Sequence, residues 1–555
     1  MPQQLEILAT PTKSIKNLDH LGIVAGICDE IRLVQIIDEL IPSNASQKVS
    51  HGVTLKSMII NSLGYTERTL YLSWDFYKDK PIEHLLGEGI KLSYLNDDRL
   101  GDTLDALYTY GVSKLFFHLS YHVHRYYNLK LVSKHLDGTT LSVSGKGSPN
   151  SSVVQVRRGY NKQGNHSLAQ IVLELITNGN GGLPLFMSVH NGNETDKTAF
   201  MEVVEKYHKE LSDVKLEDNS IWVADNALYT AENIQKMGDV LWLSRAGHSL
   251  KWVSLAYKES ETKEWLNFKN HQGYKYQVIK TTYGGVSQAA LIIYSADKYK
   301  KDVHSFNKKL SKEKAKYQKA LNKASKIAYS SKEEALLTLE TLSAKGNKYY
   351  KLSNHQVLEV EHYKRGRRTK NAQPIRYTYQ IDKTKVQIIE KQDIIEDSKT
   401  NLGKFVLVTN EIHTKKKGAK LLKRSADELL KLYKNDQQKT ERGFKFIKDP
   451  TFLLSHMFVT LPRRMVALAM LMCLSLLIYR IAEFKLRTSL KEKEETLPNQ
   501  VGKQVSNPTM KWIFRVFKGI HIEQTHGKTY IVGLNNTHKK ILGHLGACVS
   551  VYYGL

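Results

Sequence analysis

Cysteine is scarce. The 555 residues hold three, Cys28, Cys473 and Cys548, far apart and without C-x-x-C spacing. Neither a disulfide framework nor a zinc ribbon is implied, and a reducing compartment fits, so a cytoplasmic location is expected. The opening stretch, MPQQLEILATPTKSIKN, has no apolar core of the secretory kind. The most membrane-like run, MVALAMLMCLSLLIY at 465–479, has 15 residues. A span needs roughly 20, so this run reads as a buried helix and no membrane partner is expected. No internal repeat is found. Acidic charge is in deficit: 55 Asp and Glu stand against 82 Lys and Arg, a net +27. A surplus that large points to a polyanion, most often nucleic acid.

What is present is ordinary for a folded chain, with 41% hydrophobic and 25% charged residues. The length predicts roughly three or four domains at about 150 residues each. The positive charge is unevenly placed. Residues 1–125 carry 12 Lys and Arg against 15 Asp and Glu, which leaves 70 against 40 for residues 126–555. The N-terminal part is therefore no electrostatic clamp.

Residues 15–125 read as a helical domain. LGIVAGICDEIRLVQIIDELI has apolar residues at helical spacing. NDDRLGDTLDALYTYG has acids in its first turn and Gly111 after its last, so Asp97, Asp98, Asp102 and Asp105 read as capping and a solvated face, not as a metal site. At 130 the period changes. KLVSKHLDGTTLSV, SLAQIVLELITN and LPLFMSVH predict three successive strands. A helix (NETDKTAFMEVVEKYHKEL), a short strand (SIWVADNALYT), a helix near 231–237 and a strand (VLWLSR) follow. That order predicts an α/β fold with a mixed sheet, its first part over 126–248. Residues 249–403 break the rhythm with a Lys-rich helix at about 304–328 and several strand-like stretches, an inserted α+β domain. The α/β pattern resumes with GKFVLVTN and occupies 404–490. Ser425 and Glu428 form a capping box, and a second helix start at Asn435 leads through Glu441 to a stop at Asp449-Pro450. A long apolar helix is expected over 463–486, then a small basic region at 491–555.

Three acids stand out. Asp137 interrupts a strand, Asp225 ends another, and Glu441 sits on a helix among Lys439, Arg442, Lys445 and Lys448. Phosphodiester cleavage by two Mg²⁺ ions needs carboxylates converging from rigid elements, because Mg²⁺ takes oxygen ligands and the ions sit about 3.5–4 Å apart. If the fourth strand lies beside and parallel to the first, Asp137 and Asp225 emerge together. The third acid must then come from a helix across that edge. Gly443 would allow close approach to a ligand.

With HLDGTTLSV, VADNALYT, GKFVLVTN, KTERGFKFIKDPTFL and LPRRMVALAMLM in this order, the chain resembles the DDE transposases of bacterial insertion sequences. The likeness is to the superfamily with a ribonuclease-H-like core and a β-rich insertion before the last acid, and it covers nearly the whole chain. It implies a mixed five-stranded core sheet preceded by a helical domain. It implies Asp137, Asp225 and Glu441 as catalytic metal ligands, with two Mg²⁺ ions for which Mn²⁺ substitutes. The 216 residues from Asp225 to Glu441 leave room for the insertion. The resemblance assigns Lys448 to DNA. It also places Gln437 where the family has Arg, and Lys434, with Tyr433 one place off, where the family has Tyr; those two positions meet phosphates in the family. The activity implied is cleavage and strand transfer at terminal inverted repeats of double-stranded DNA, by a homodimer or higher multimer. A transposase-derived DNA-binding protein without activity and a nuclease without strand transfer are the alternatives.

Further basic residues are candidates for DNA contact. Lys308, Lys312, Lys316, Lys319, Lys323 and Lys326 recur at three- and four-residue steps and predict one helix stripe, while Phe306, Leu310, Tyr317, Leu321 and Ala324 tend to another face. A solvated face is the alternative. Arg157 and Arg158 follow Asp137, and Arg245 stands at a strand end.

Overall fold

The computed structural model describes residues 14–64, 73–143, 148–159, 168–194, 196–214, 218–345, 347–367, 373–413, 421–436, 442–443, 445–446, 461–525 and 528–555. The chain is mixed α/β and divides into two compact units. One comprises Met1–Ser244, Gly284–Val286 and Glu428–Leu555; the other comprises Arg245–Tyr283 and Ser287–Asp427. These limits differ from the five domains read off the sequence. The N-terminal helices and the basic tail share a unit with the core strands, and the strand Lys404–Thr409 falls in the unit of the insertion.

The first unit is organised around the helix Pro462–Glu492. Pro462 opens it, where a missing N–H costs nothing. It is apolar on every side, and a helix of that kind has to be buried. With 31 residues it is long and apolar enough to cross a membrane, yet its most apolar window is wholly buried in the protein. The helices Leu21–Glu30, His51–Leu63, Asp97–Tyr110 and Val112–Tyr126 pack against it. The acidic cluster holds no solvated face at Asp105, which pairs with two arginines, while its first-turn acids lie where capping was expected. Asn96 caps the helix by accepting from Arg99 N, Asp97 and Asp98 lie in its first turn, and Asp105 holds both Arg463 and Arg464 at 2.8 Å.

The tail folds back on the chain's beginning. Ser14–Asn17 pairs antiparallel with His521–Thr525, which pairs with Lys528–Val532. Gly26 is required here, because a Cβ would lie 2.6 Å from the backbone of Cys548 and Val549. Tyr553 donates to Asp19 O at 2.8 Å. The region 491–555 is thus part of the N-terminal core, a pairing across about 500 residues that no local pattern encodes.

Five strands make up a mixed sheet here: β1 (Ser133–Ser142), β2 (Gln170–Asn178), β3 (Pro184–His190), β4 (Ile221–Ala224) and β5 (Trp242–Ala246), the last running past the unit's limit at Ser244. Their order is β3-β2-β1-β4-β5. β1, β2 and β3 are antiparallel neighbours; β4 runs parallel to β1, and β5 parallel to β4. The parallel pair is pinned by a buried ion pair, Lys134 Nζ to Asp218 Oδ2 at 2.5 Å, with side chains 0% and 6% exposed. The ammonium also lies 4.6 Å from the Trp222 ring, and Ser220 donates to the other Asp218 oxygen. Burial acts to raise the Asp218 carboxyl, but the Lys134 charge and these hydrogen bonds outweigh it and hold the group below its usual range.

The strands Tyr274–Tyr283 and Val286–Ser295 are joined through Gly284 and Gly285, both with positive φ, the G-G signature of a two-residue hairpin; the turn Gly284–Val286 counts with the first unit and the rest of both strands with the second. Val286–Ser295 then pairs antiparallel with Lys404–Thr409. The Lys-rich helix runs from Ala296 to Ala324, starting eight residues before the position expected, because Ser295 caps it by accepting from Lys298 N. Its buried side holds Phe306, Tyr317, Leu321 and Ala324, which join Tyr349, Leu352 and Ile381 in a separate core.

Candidate active site

The register of β1 on β4 aligns Ser133 with Ile221, Lys134 with Trp222 and His135 with Val223. Carried two residues further, the same offset sets Asp225 beside Asp137. Neighbouring strands lie about 4.8 Å apart, and residues at one level of a parallel pair face the same side. The two carboxylates therefore share one face at the carboxyl end of β4. Both side chains are partly exposed. Asp137 Oδ1 accepts from Gly138 N, and Asp225 Oδ1 accepts from Ala227 N, each at 2.8 Å. Ser244 Oγ donates to Asp225 O at 2.6 Å and fixes the strand end from β5. Two oxygen-only side chains, preset by backbone hydrogen bonds and open to water, fit the ligand chemistry of Mg²⁺.

Glu441 lies outside the described residues, as do Gln437 and Lys448. Both flanks of Glu441 are placed in the first unit. The helix Ala426–Lys431 begins right after Ser425, as its sequence predicts. No separate start follows at Asn435: Leu432–Asp436 continues as a π-helical turn that packs against β4. Tyr433 is half-buried in that turn. Beyond the gap, Phe446 is buried 4.5 Å from the Tyr479 ring of the long helix. Gly443 packs on the long helix: a Cβ there would meet Leu476 Cδ2 at 3.2 Å.

The remaining candidates are scattered. Arg157 Nε donates to Pro149 O, and its backbone pairs with Gln170, which pairs with Ser142. That is five residues along β1 from Asp137, about 17 Å, and it does not join the two aspartates. Arg158 beside it is exposed. Arg245 lies in the second unit, over the Phe405 ring at 5.7 Å and 3.2 Å from His248 Nε2. Lys308, Lys312, Lys316, Lys319, Lys323 and Lys326 are all exposed, with Lys326 just past the helix end. From Lys308 to Lys323 the stripe is about 22 Å long.

One buried acid escaped the sequence reading. Glu174 on β2 is 2% exposed and sits opposite Gly138, on the other sheet face from Asp137. A Cβ on Gly138 would lie 2.2 Å from Glu174 Oε1, so the glycine after Asp137 makes room for this carboxylate. The signal was a lone charge inside the apolar run QIVLELITN. Glu483 is likewise buried, between Arg480 and Arg487 at 2.6 Å each.

Among known proteins, a domain family of unknown function, DUF4277, matches residues 13–121. No curated protein matches the chain. Among solved structures, the piggyBac transposase synaptic complex with hairpin DNA, determined by cryo-electron microscopy, is similar at 9% identity and a TM-score of 0.34. The match covers 90% of this chain and 79% of that one.

Proposed function

We propose that this chain is a DNA transposase that cleaves and joins DNA with divalent metal ions held by Asp137, Asp225 and Glu441. The observation that carries the reading is the parallel register of Ser133–His135 on Ile221–Val223, which, carried two residues on, would bring Asp137 and Asp225 to one level. The order β3-β2-β1-β4-β5, with the fourth strand beside and parallel to the first, is the arrangement expected of a ribonuclease-H-like core and supports it. So does the net charge of +27.

Two Mg²⁺ ions bound there would activate the attacking oxygen and stabilise the leaving one. The protein's own work is positional. Asp137 is fixed within a central strand and Asp225 by its turn at Ala227, so both carboxylates are preorganised. Exposed lysines on Ala296–Ala324 would neutralise phosphates along a duplex. No histidine is required as general base. The substrate proposed is the terminal inverted repeats of the element that encodes the chain, paired by a multimer in the bacterial cytoplasm.

A plasmid carrying those ends, incubated with the protein and Mg²⁺, tests this. Joined products support a transposase. Linear products alone would reduce the proposal to a nuclease, and a bound, uncut plasmid to a DNA-binding protein.

A further inference from the structure

On the sheet face opposite Asp137, three polar side chains meet that the proposed reaction does not use. His190 ends β3 and pairs with Val172, which pairs with Thr140 of β1. Strand alternation thus puts it on the even-numbered face, away from Asp137. Its side chain is 2% exposed. Nδ1 lies 3.8 Å from Glu194 Oε2 and 3.6 Å from Glu202 Oε2, too far for hydrogen bonds. Nε2 is buried, and the ring makes no hydrogen bond among the described residues. Buried imidazoles normally have partners, so a gap of this kind, faced by two carboxylates, needs an explanation.

We infer that His190, Glu194 and Glu202 form a second metal site, for a zinc-type divalent cation, separate from the Asp137–Asp225 pair. One imidazole and two carboxylates suit Zn²⁺ or Co²⁺ rather than Mg²⁺, which prefers oxygen alone. Bonds of 2.0–2.2 Å at a tetrahedral angle separate two ligand atoms by about 3.4 Å. The observed 3.6 and 3.8 Å are close to that, and all three ligand atoms lie within 4.8 Å of one another. Glu194 and Glu202 are 23% and 47% exposed, so an ion has access and water can complete the shell.

The surroundings hold the site in place. Gly192 N donates to Gln155 O, and Gln170 Nε2 donates to Gly192 O. A Cβ on Gly192 would lie 2.0 Å from Gln170 O, so the loop that carries Glu194 is clamped onto β2. Glu202 rises from the helix Asp196–Asp213. Its two oxygens face different partners: Oε1 lies 2.6 Å from Lys206 Nζ, while Oε2 faces the histidine. A bound ion would tie the end of β3, the following loop and the second turn of the helix together. Lys206 opposes the ion by charge and weakens its affinity.

The test uses the full chain, stripped with a chelator, in an Asp137→Asn/Asp225→Asn background that silences the other site. Co²⁺ is titrated and its visible absorption recorded; Zn²⁺ is added and the thermal midpoint followed. One equivalent of Co²⁺ should give a tetrahedral-type spectrum, and Zn²⁺ should raise the midpoint by a few degrees, while Mg²⁺ does neither. Glu202→Gln, at a half-exposed position that folding tolerates, should weaken binding by about tenfold or more, as should Glu194→Gln. Lys206→Met should tighten it, which a merely structural cluster would not predict. Absence of the Co²⁺ spectrum, or a spectrum and midpoint shift unchanged in Glu202→Gln, would overturn the assignment. Loss of DNA cleavage in the same background leaves this outcome unaffected.

Discussion

Asp225→Asn should make the metal-free protein more stable, not less. If the register of β1 on β4 continues to Asp137 and Asp225, their carboxylates, with no cation between them, would lie about 5 Å apart, the spacing of neighbouring strands. At an effective dielectric of about 20 their repulsion is roughly 3 kcal/mol. Both side chains are partly exposed, so water and salt reduce this to about 1 kcal/mol. Asn keeps an oxygen to accept from Ala227 N, so the turn at 2.8 Å survives. The chelated variant should therefore melt about 2 °C above the wild type. Mg²⁺ should reverse the order. A ligand that binds only the folded state raises the melting point, and the variant has lost half of the described donor pair. Mg²⁺ is the right probe, because an all-oxygen site favours it. Calorimetry in chelator and then in Mg²⁺, at constant ionic strength, reads both effects. Asp239→Asn, at an exposed position, controls for removing one negative charge from a chain of +27. If Asp225→Asn melts below the wild type in chelator and keeps the full Mg²⁺ shift, the two acids do not share a site.

Glu441→Gln should abolish cleavage, by about a thousandfold or more, while DNA binding holds or strengthens; Glu428→Gln, on an exposed helix position, should be silent in the same plasmid assay. Glu483→Gln is not a neutral comparison. It strips Arg480, 8% exposed, of its ion pair and should cost about 3 kcal/mol in denaturant unfolding. Changing Lys308, Lys316 and Lys323 together to Gln should lower the slope of log affinity against log salt by up to about 3; an unchanged slope marks a merely solvated face. Stability of the first unit should fall with acid. Burial lowers His20 and His124 from 6.5 to about 4, so the unfolded chain binds protons first. Their contribution is complete above pH 6.5 and disappears as pH falls toward 4, which proton uptake on unfolding near pH 5 would register.

The strands were legible locally. KLVSKHLDGTTLSV, SLAQIVLELITN and LPLFMSVH contain β1, β2 and β3, and SIWVADNALYT ends its strand just before Asp225. Apolar runs and turn residues are short-range signals, and strand propensity is read within a few residues. The two faces of the Lys-rich helix were legible for the same reason, since spacing along one helix fixes which residues share a side. Helix ends were less so, as Ser295 shows: a cap is one side chain's hydrogen bond, and serine occurs in many settings.

Long-range placement was another matter. The sequence marked Asp137 and Asp225 as strand acids, but their common level depends on how β1 is registered on β4, 88 residues away. That register is held by Lys134 and Asp218, an ion pair that carries no sequence signature. The tail's return to Ser14–Asn17, the packing role of Gly443 and the meeting of His190 with Glu194 and Glu202 have the same origin. Each depends on which surfaces the collapsed chain buries against one another. Composition and periodicity state how much apolar surface must be buried and on which side of an element, but not against which partner. The choice among partners is made by shape, register and the pairing of buried charges, which exist only once the tertiary structure has formed.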